Sequence, residues 1–439
     1  MNEIAPLSSA KAQALETRLE ALGRPAGAFA PARANAAARL AAVGLPGARD
    51  EYWRFTRPHL LNAARPVQTP VVAPVGGAAL FADVERLEYA FPDGVFDAAM
   101  RVGEVPEGVE ITRLAEAGED HWAAPLYGTL EEAGQNPVSR PQAMLNTAYA
   151  TDGLLVRVAG KAALPLSLFY PAASETGDAM LHNVIVLEEG AELTLLENGP
   201  GGARINSVTE VFVADGARFH HVRAQGRANA RQAVTHLFAR LGKESVFKSF
   251  TLSVNGQMTR NECVVEMNGD DAVAHVAGAA LGDGALGKFH HDDTVFITHE
   301  GRNCESRQVF KKVLRNGAVG VFQGKILVKQ SAQKTDGYQK SQSLLLDGDS
   351  QFFAKPELEI YADDVACSHG STSGAIDEEG LFYLRSRGVP TDIATDLLVL
   401  AFVADALEEI EDAELAEHIR ARLEDWLAGR RKAGQDTGE

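Results

Sequence analysis

A chain of 439 residues, 45% hydrophobic and 23% charged, is long enough to bury a large core in several structural regions and too apolar to be disordered along its length. Its formal net charge of −18 argues against nucleic acid or an anionic membrane as the main partner, because both demand a basic face. Cys263, Cys304 and Cys367 are widely separated and form no C-x-x-C, so they offer neither a disulfide framework nor a self-contained zinc site and fit a reducing compartment.

Met1 to Pro6 carry neither the basic nor the apolar stretch of a secretory signal, and a cytoplasmic location is expected. Ser8 to Arg57 read as helical, rich in Ala, Leu, Arg and Glu, with Gly23 and Gly44 at helix ends and Pro25, Pro31 and Pro46 as punctuation. The aromatic cluster Glu51-Tyr52-Trp53-Arg54-Phe55 is expected to anchor these helices on a core. Pro66 to Gly77 reads as a linker, which closes a helical region over 1–75. A small mixed α/β segment over 76–142 follows, with two short strands about Pro92-Asp93-Gly94 and helical sequence from Ile111 to Gly134.

From about Ala143 helical periodicity gives way to short runs of Val, Leu, Phe, Ile and Thr between turn dipeptides. Glu189-Gly190, Asp215-Gly216, Leu241-Gly242 and Asn268-Gly269 recur at intervals near 26 residues, and Asn316-Gly317 and Asp347-Gly348 continue the series. A coil of that length holds two or three short strands and their turns, the geometry of a parallel β-helix, here over 143–375. A β-sandwich is the competing all-β reading, but it predicts no regular long period. Over 376–439 the chain is helical again, with Gly388 placed to end one helix and Thr391 to begin the next. The apolar stretch Ala394 to Leu407 contains Asp396 and Asp405 and is too short to cross a bilayer, so it reads as a buried helix.

Two groups of side chains invite chemistry. Cys367 and His369, in Asp363 to Thr372, share one face of an extended chain and suit either metal ligation or a nucleophile and base, although a lone Cys-x-His is most often packing. His290-His291-Asp292-Asp293, with His299 and Cys304, is the densest set of potential ligands, but strand alternation sends His290 and Asp292 one way and His291 and Asp293 the other. His220-His221 divides by the same argument. Gly282 to Lys288 has the spacing of a phosphate loop but is followed by Phe289 where Ser or Thr must hold magnesium, and by strand sequence where a helix should start. There is no G-x-S-x-G elbow and no H-E-x-x-H helix. On residues alone, a stand-alone β-helix metalloenzyme or carbohydrate-active protein using the His290 cluster stays open.

A longer pattern runs through Ser306-Arg307-Gln308, Gly320 to Ile326, Gln333-Lys334-Thr335-Asp336-Gly337, Lys355 to Val365, Cys367-Ser368-His369-Gly370 and Leu381 to Gly388. Weaker traces extend upstream through Leu145-Asn146 and Asp152-Gly153 to Glu51-Tyr52-Trp53-Arg54. On these residues the chain resembles the SufB/SufD family of iron–sulfur cluster assembly proteins, on its SufD side. A cysteine-rich amino-terminal segment is lacking, and Ser-His-Gly stands where SufB tends to carry a Glu-His-Glu-type sequence. Tyr338 to Ser343 departs from an Asn-rich run common in the family.

The resemblance implies a right-handed parallel β-helix flanked by amino-terminal and carboxy-terminal helices, pairing with SufB through the β-helices and docking the SufC ATPase through the carboxy-terminal helices. It implies a non-catalytic scaffold with ATP hydrolysis left to SufC; without SufB, the exposed edge of an open β-helix would invite pairing, so a homodimer through the same surface is an available state of the isolated chain. A transient iron–sulfur cluster would be shared with SufB, with His369 as this chain's contribution to the interface and Cys367 as the second candidate. No cluster held stably by this chain alone is expected.

Overall fold

Strand-forming sequence and a repeated turn build two parallel sheets that share one interior. The computed structural model describes residues 9–22, 27–71, 80–225 and 230–436. The expectations for Met1 to Pro6, for Gly23 and Pro25, and for the linker from Val72 onward fall outside these residues. Sheet A runs through nine strands from Leu87–Ala90 to Ala366–Gly374, and sheet B through nine from Val109–Arg113 to Gln351–Ile360, alternating along the chain. Every pairing between these strands is parallel and in register except that of Val109–Arg113, which is antiparallel to Leu154–Val158. The result is a two-sheet parallel β-solenoid with helices at both ends of the chain.

The turn spacing is the repeat of the early coils. Asn183 lies beside Thr209, 26 residues on, and Gly190 and Gly216 at equivalent turns have φ of 69° and 67°, a region that costs a side chain but not glycine. Later coils are longer, so that Arg260 lies beside Asp292, 32 residues on. The sheets read as nearly continuous hydrophobic runs because both faces are covered, as buried parallel strands require. In Gln232–Leu241, Ala233, Leu237 and Leu241 point into the solenoid while Phe238 packs outward against Tyr52 and Leu130.

The outer face of sheet B carries the amino-terminal elements α1 (Ser9–Leu22), α2 (Ala30–Val43), α3 (His59–Asn62), α4 (Thr129–Ala133) and α5 (Pro141–Tyr149). Leu15, Phe29, Leu40 and Leu145 pack there on Leu155, Met180 and Val184. Gly44 ends α2 with φ 70°, its N–H bonded to the Leu40 carbonyl. The outer face of sheet A carries α7 (Thr391–Leu407) and α8 (Ala413–Asp436), whose Val399, Val403, Leu407, Ile419 and Leu423 bury against Phe250, Leu252, Ala279 and Val313. Each such side chain contributes roughly 1.5–3 kcal/mol on burial, so a charge at Val403 would detach the pair. The preceding α6 (Glu378–Ser386) is capped by Asp377 and closed by Gly388 at φ 86°, and it packs on α7. No described helix is long and apolar enough to cross a membrane.

Three local readings change. The strand character expected from about Ala143 begins only at Leu154, because Pro141–Tyr149 is the helix α5. Ile111 to Gly134 is not continuous helix: Val109–Arg113 is a strand that caps sheet B, and only Thr129–Ala133 is α-helical. The stretch after Pro92-Asp93-Gly94 forms short 3-10 turns, while Leu87–Ala90 joins sheet A beside Leu166–Phe169. In these last two places partners distant in sequence outweigh local propensity.

Candidate functional site

The solenoid ends open. Among the described residues Ala366–Gly374 pairs only with Asp336–Leu345, and Gln351–Ile360 only with Val319–Val328, so each presents a free row of backbone groups. The two edges differ in protection. In Gln351–Ile360 the Gln351 N–H reaches the Ala318 carbonyl and the Tyr361 N–H the Val328 carbonyl, so the even-numbered residues face outward along the sheet, and Pro356 places its missing N–H there. Lys355, Glu357 and Glu359 add charge to the same strand. Ala366–Gly374 has no proline, lysine or carboxylate, and eight of its nine residues are exposed, with Cys367 half-buried.

Alternation places Cys367 and His369 on one face, as the sequence implies, and the structure shows that this face turns into the solenoid. Cys367 lies over Gly337 and packs with Ile326, Val328 and Ala362, and Gly337 leaves the room that its thiol fills. Burial pushes the Cys367 thiol above its ordinary value. His369 lies over Gln339 and is exposed, with no hydrogen bond to any described residue. Gln339 is fully buried and donates to Gln308 at 2.8 Å, while its Oε1 makes no hydrogen bond among the described residues. A Cβ at Gly324 would collide with the Gln339 amide, so a glycine is needed to seat it. Ser371 and Ser373 continue the inward row, bonded to Ser341 at 2.7 Å and Ser343 at 2.9 Å. The last coil therefore shows a thiol, an imidazole and hydroxyls in line with Gly337, Gln339, Ser341 and Ser343 of the coil beneath it.

The His290 cluster divides. Outward, His290 Nε2 meets Thr56 Oγ1 at 2.9 Å, and Asp292 is ion-paired with Arg260. Inward, Lys312 Nζ lies 2.7 Å from both His291 Nδ1 and Asp293 Oδ2. His299 binds Ser306 at 2.9 Å, and the Cys304 thiol points at the Gly269 carbonyl at 3.3 Å. Both carboxylates already neutralise a cation, which makes the cluster poorly suited to a metal ion, and burial holds His290 and His291 below the ordinary histidine range. Among the described residues no three His, Cys, Asp or Glu side chains converge as ligands would. Gly282 to Lys288 forms a 3-10 turn leading into a strand, without the helix a phosphate loop needs.

Sequence reading missed a polar chain within the solenoid. Tyr170 donates to Glu197 at 2.8 Å; Glu197 accepts from Arg223 and meets His221 at 2.9 Å; Arg223 reaches Thr235, and Thr235 donates to Asn261, which reaches His291. Burial alone would raise the Glu197 carboxyl, but Arg223 and His221 hold it far below the usual carboxylate range. Its only signal in the sequence is polar residues at inward positions, legible once the inward face is known.

Fold and site define a class: a helix-sheathed, two-sheet parallel β-solenoid whose carboxyl end is open and carries a thiol and an imidazole. The family model for the SUF system FeS cluster assembly, SufBD core domain, matches residues 170–402, and the chain belongs to the SufBD family. It is 28% identical to the iron–sulfur cluster assembly protein SufD of Escherichia coli K12 over 404 residues, which are 89% of this chain and 91% of that protein. It is 26% identical to a SufBD family protein of Synechocystis, covering 93% of each chain. SufD of Bacillus subtilis is 26% identical over 56% of this chain and 57% of its own length.

Proposed function

We propose that the chain is a non-catalytic, cytosolic scaffold subunit of SUF iron–sulfur cluster assembly that pairs with SufB through Ala366–Gly374. The observation that carries this reading is the unprotected edge. It is a strand free of proline and charge that ends a solenoid and projects Cys367 and His369 inward at the same step. A second solenoid adding its own last strand there would continue both backbone ladder and interior, and would enclose these side chains between two chains. His369 then supplies a borderline nitrogen ligand to the iron of a nascent cluster, with Cys367 beside it, while sulfide and further thiolate come from SufB. The same edge supports a homodimer of the isolated chain.

The SufC ATPase docks on α6 and the first turns of α7. Phe382 and Tyr383 are 73% and 55% exposed there, and Ile393 and Leu397 are exposed beside them. The rest of α7 and α8 is committed to sheet A.

The test is co-purification with SufB and SufC followed by cluster reconstitution. His369→Ala is expected to leave the complex intact and to lower the assembly rate at least about tenfold, a loss of about 1.4 kcal/mol in barrier terms. Phe382→Asp is expected to lose SufC but keep SufB. Wild-type assembly by His369→Ala would remove His369 from the role.

A further inference from the structure

A cavity of about 580 Å³ lies on the side of sheet B and reaches its edge strand Gln351–Ile360, apart from Ala366–Gly374. Arg260 builds it, donating to the Tyr52 carbonyl at 2.9 Å and lying 4.2 Å over the Trp53 ring, so that the segment from Arg54 to Leu60 stands over the first residues of four neighbouring strands, Met258, His290, Val319 and Gln351. Its volume lies in the ordinary range for small-molecule sites.

The lining is unusual for a chain with a net charge of −18. Arg54, Arg57 and Lys288 are exposed at its rim and make no ion pair with any described residue, and none of the described residues lining it is acidic. Lys355, on the neighbouring strand surface, is by contrast paired with Glu51 at 2.6 Å. One wall is flat and apolar: the rings of Phe55 and Phe353 stack with centroids 5.1 Å apart and planes 17° from parallel. Another wall offers an acceptor. The Thr56 hydroxyl donates to Asp292 at 2.5 Å and so must accept from His290 Nε2–H, which leaves His290 Nδ1 as an acceptor.

Three cations without an ion pair, Arg54 among them lying 5.8 Å from the Phe55 ring centre, together with a flat aromatic wall and an imidazole acceptor match a small organic polyanion with a planar ring bearing N–H donors. We propose that this cavity binds a nucleoside phosphate, with Arg54, Arg57 and Lys288 on the phosphates and the base against Phe55 and Phe353. Phosphate recognition by Arg forks and base stacking on phenyl rings are strong, separable contributions.

Calorimetric titration of the isolated full-length chain with ADP, inorganic pyrophosphate and adenosine tests the assignment independently of the scaffold reading. One ADP per chain is expected, with Kd of about 10–100 µM, and pyrophosphate weaker by about tenfold. Arg57→Gln/Lys288→Gln removes exposed, unpaired charges and leaves the fold intact, yet is expected to weaken ADP at least about tenfold. Phe353→Leu is expected to weaken ADP while leaving pyrophosphate unchanged. No saturable ADP binding below about 1 mM, or equal binding by the double variant, overturns the proposal. Tighter binding of a polyglutamate peptide than of ADP also overturns it and makes the cavity a peptide cleft.

Discussion

The two ends of the solenoid are built from the same coil and finished in opposite ways. At the amino end Val109–Arg113 turns antiparallel across sheet B, and Phe91, 1% exposed, closes the interior against Phe96 and Tyr89. At the carboxyl end no strand or aromatic plug among the described residues follows Ala366–Gly374, and inward positions are filled by Cys367, His369, Ser371 and Ser373. A repeat protein needs an end cap for solubility unless the end is to be covered by something else. Closure at one end shows that this chain can cap itself, and the contrast supports the pairing proposed for the bare end.

Breaking the closed end should have the largest effect on stability. Phe91→Ala is expected to cost about 3–5 kcal/mol, read as a lower urea midpoint with an unchanged slope. His369→Ala at the open end should stay within about 0.5 kcal/mol of wild type, and an equal loss at both ends would erase the contrast.

Acid should act next, through the covered body of the solenoid. Burial holds His236 down to about 4, and His299 likewise to about 4. The unfolded chain takes up these protons first as the pH falls through about 6.5, so their stabilisation is complete above that value and is lost on the way down to pH 4. The loss over that window amounts to a few kcal/mol at most for each group. His236→Phe should flatten the stability profile between pH 6.5 and 4, whereas an unchanged profile would show that His236 charges without cost.

The smallest effect on stability should come from Ser371→Pro. The Ala366 N–H bonds to the Thr335 carbonyl, so the alternate residue Ser371 directs its N–H to the free edge and proline there breaks no ladder bond. The loss should not exceed about 1 kcal/mol, mostly the hydrogen bond to Ser341. Strand pairing with a partner, read by sedimentation of the mixed proteins, should nevertheless vanish.

Much of this was legible in the sequence. Turn spacing near 26 residues announced the solenoid, alternation put Cys367 and His369 on one face, and the same alternation split the His290 cluster. The helix ends at Gly44 and Gly388 followed from glycine's tolerance of positive φ. These are local properties, set by a residue and its neighbours along the chain. Tertiary structure alone decided which face was inward, and so that Cys367 meets Gly337 and His369 meets Gln339 at an uncovered end. It paired Asp293 with Lys312 and Asp292 with Arg260, and it brought Arg54 and Phe55 beside Lys288 and Phe353. Such contacts join residues tens to hundreds of positions apart, and they depend on how each coil stacks on the last and which helices cover each sheet. No local period records that information.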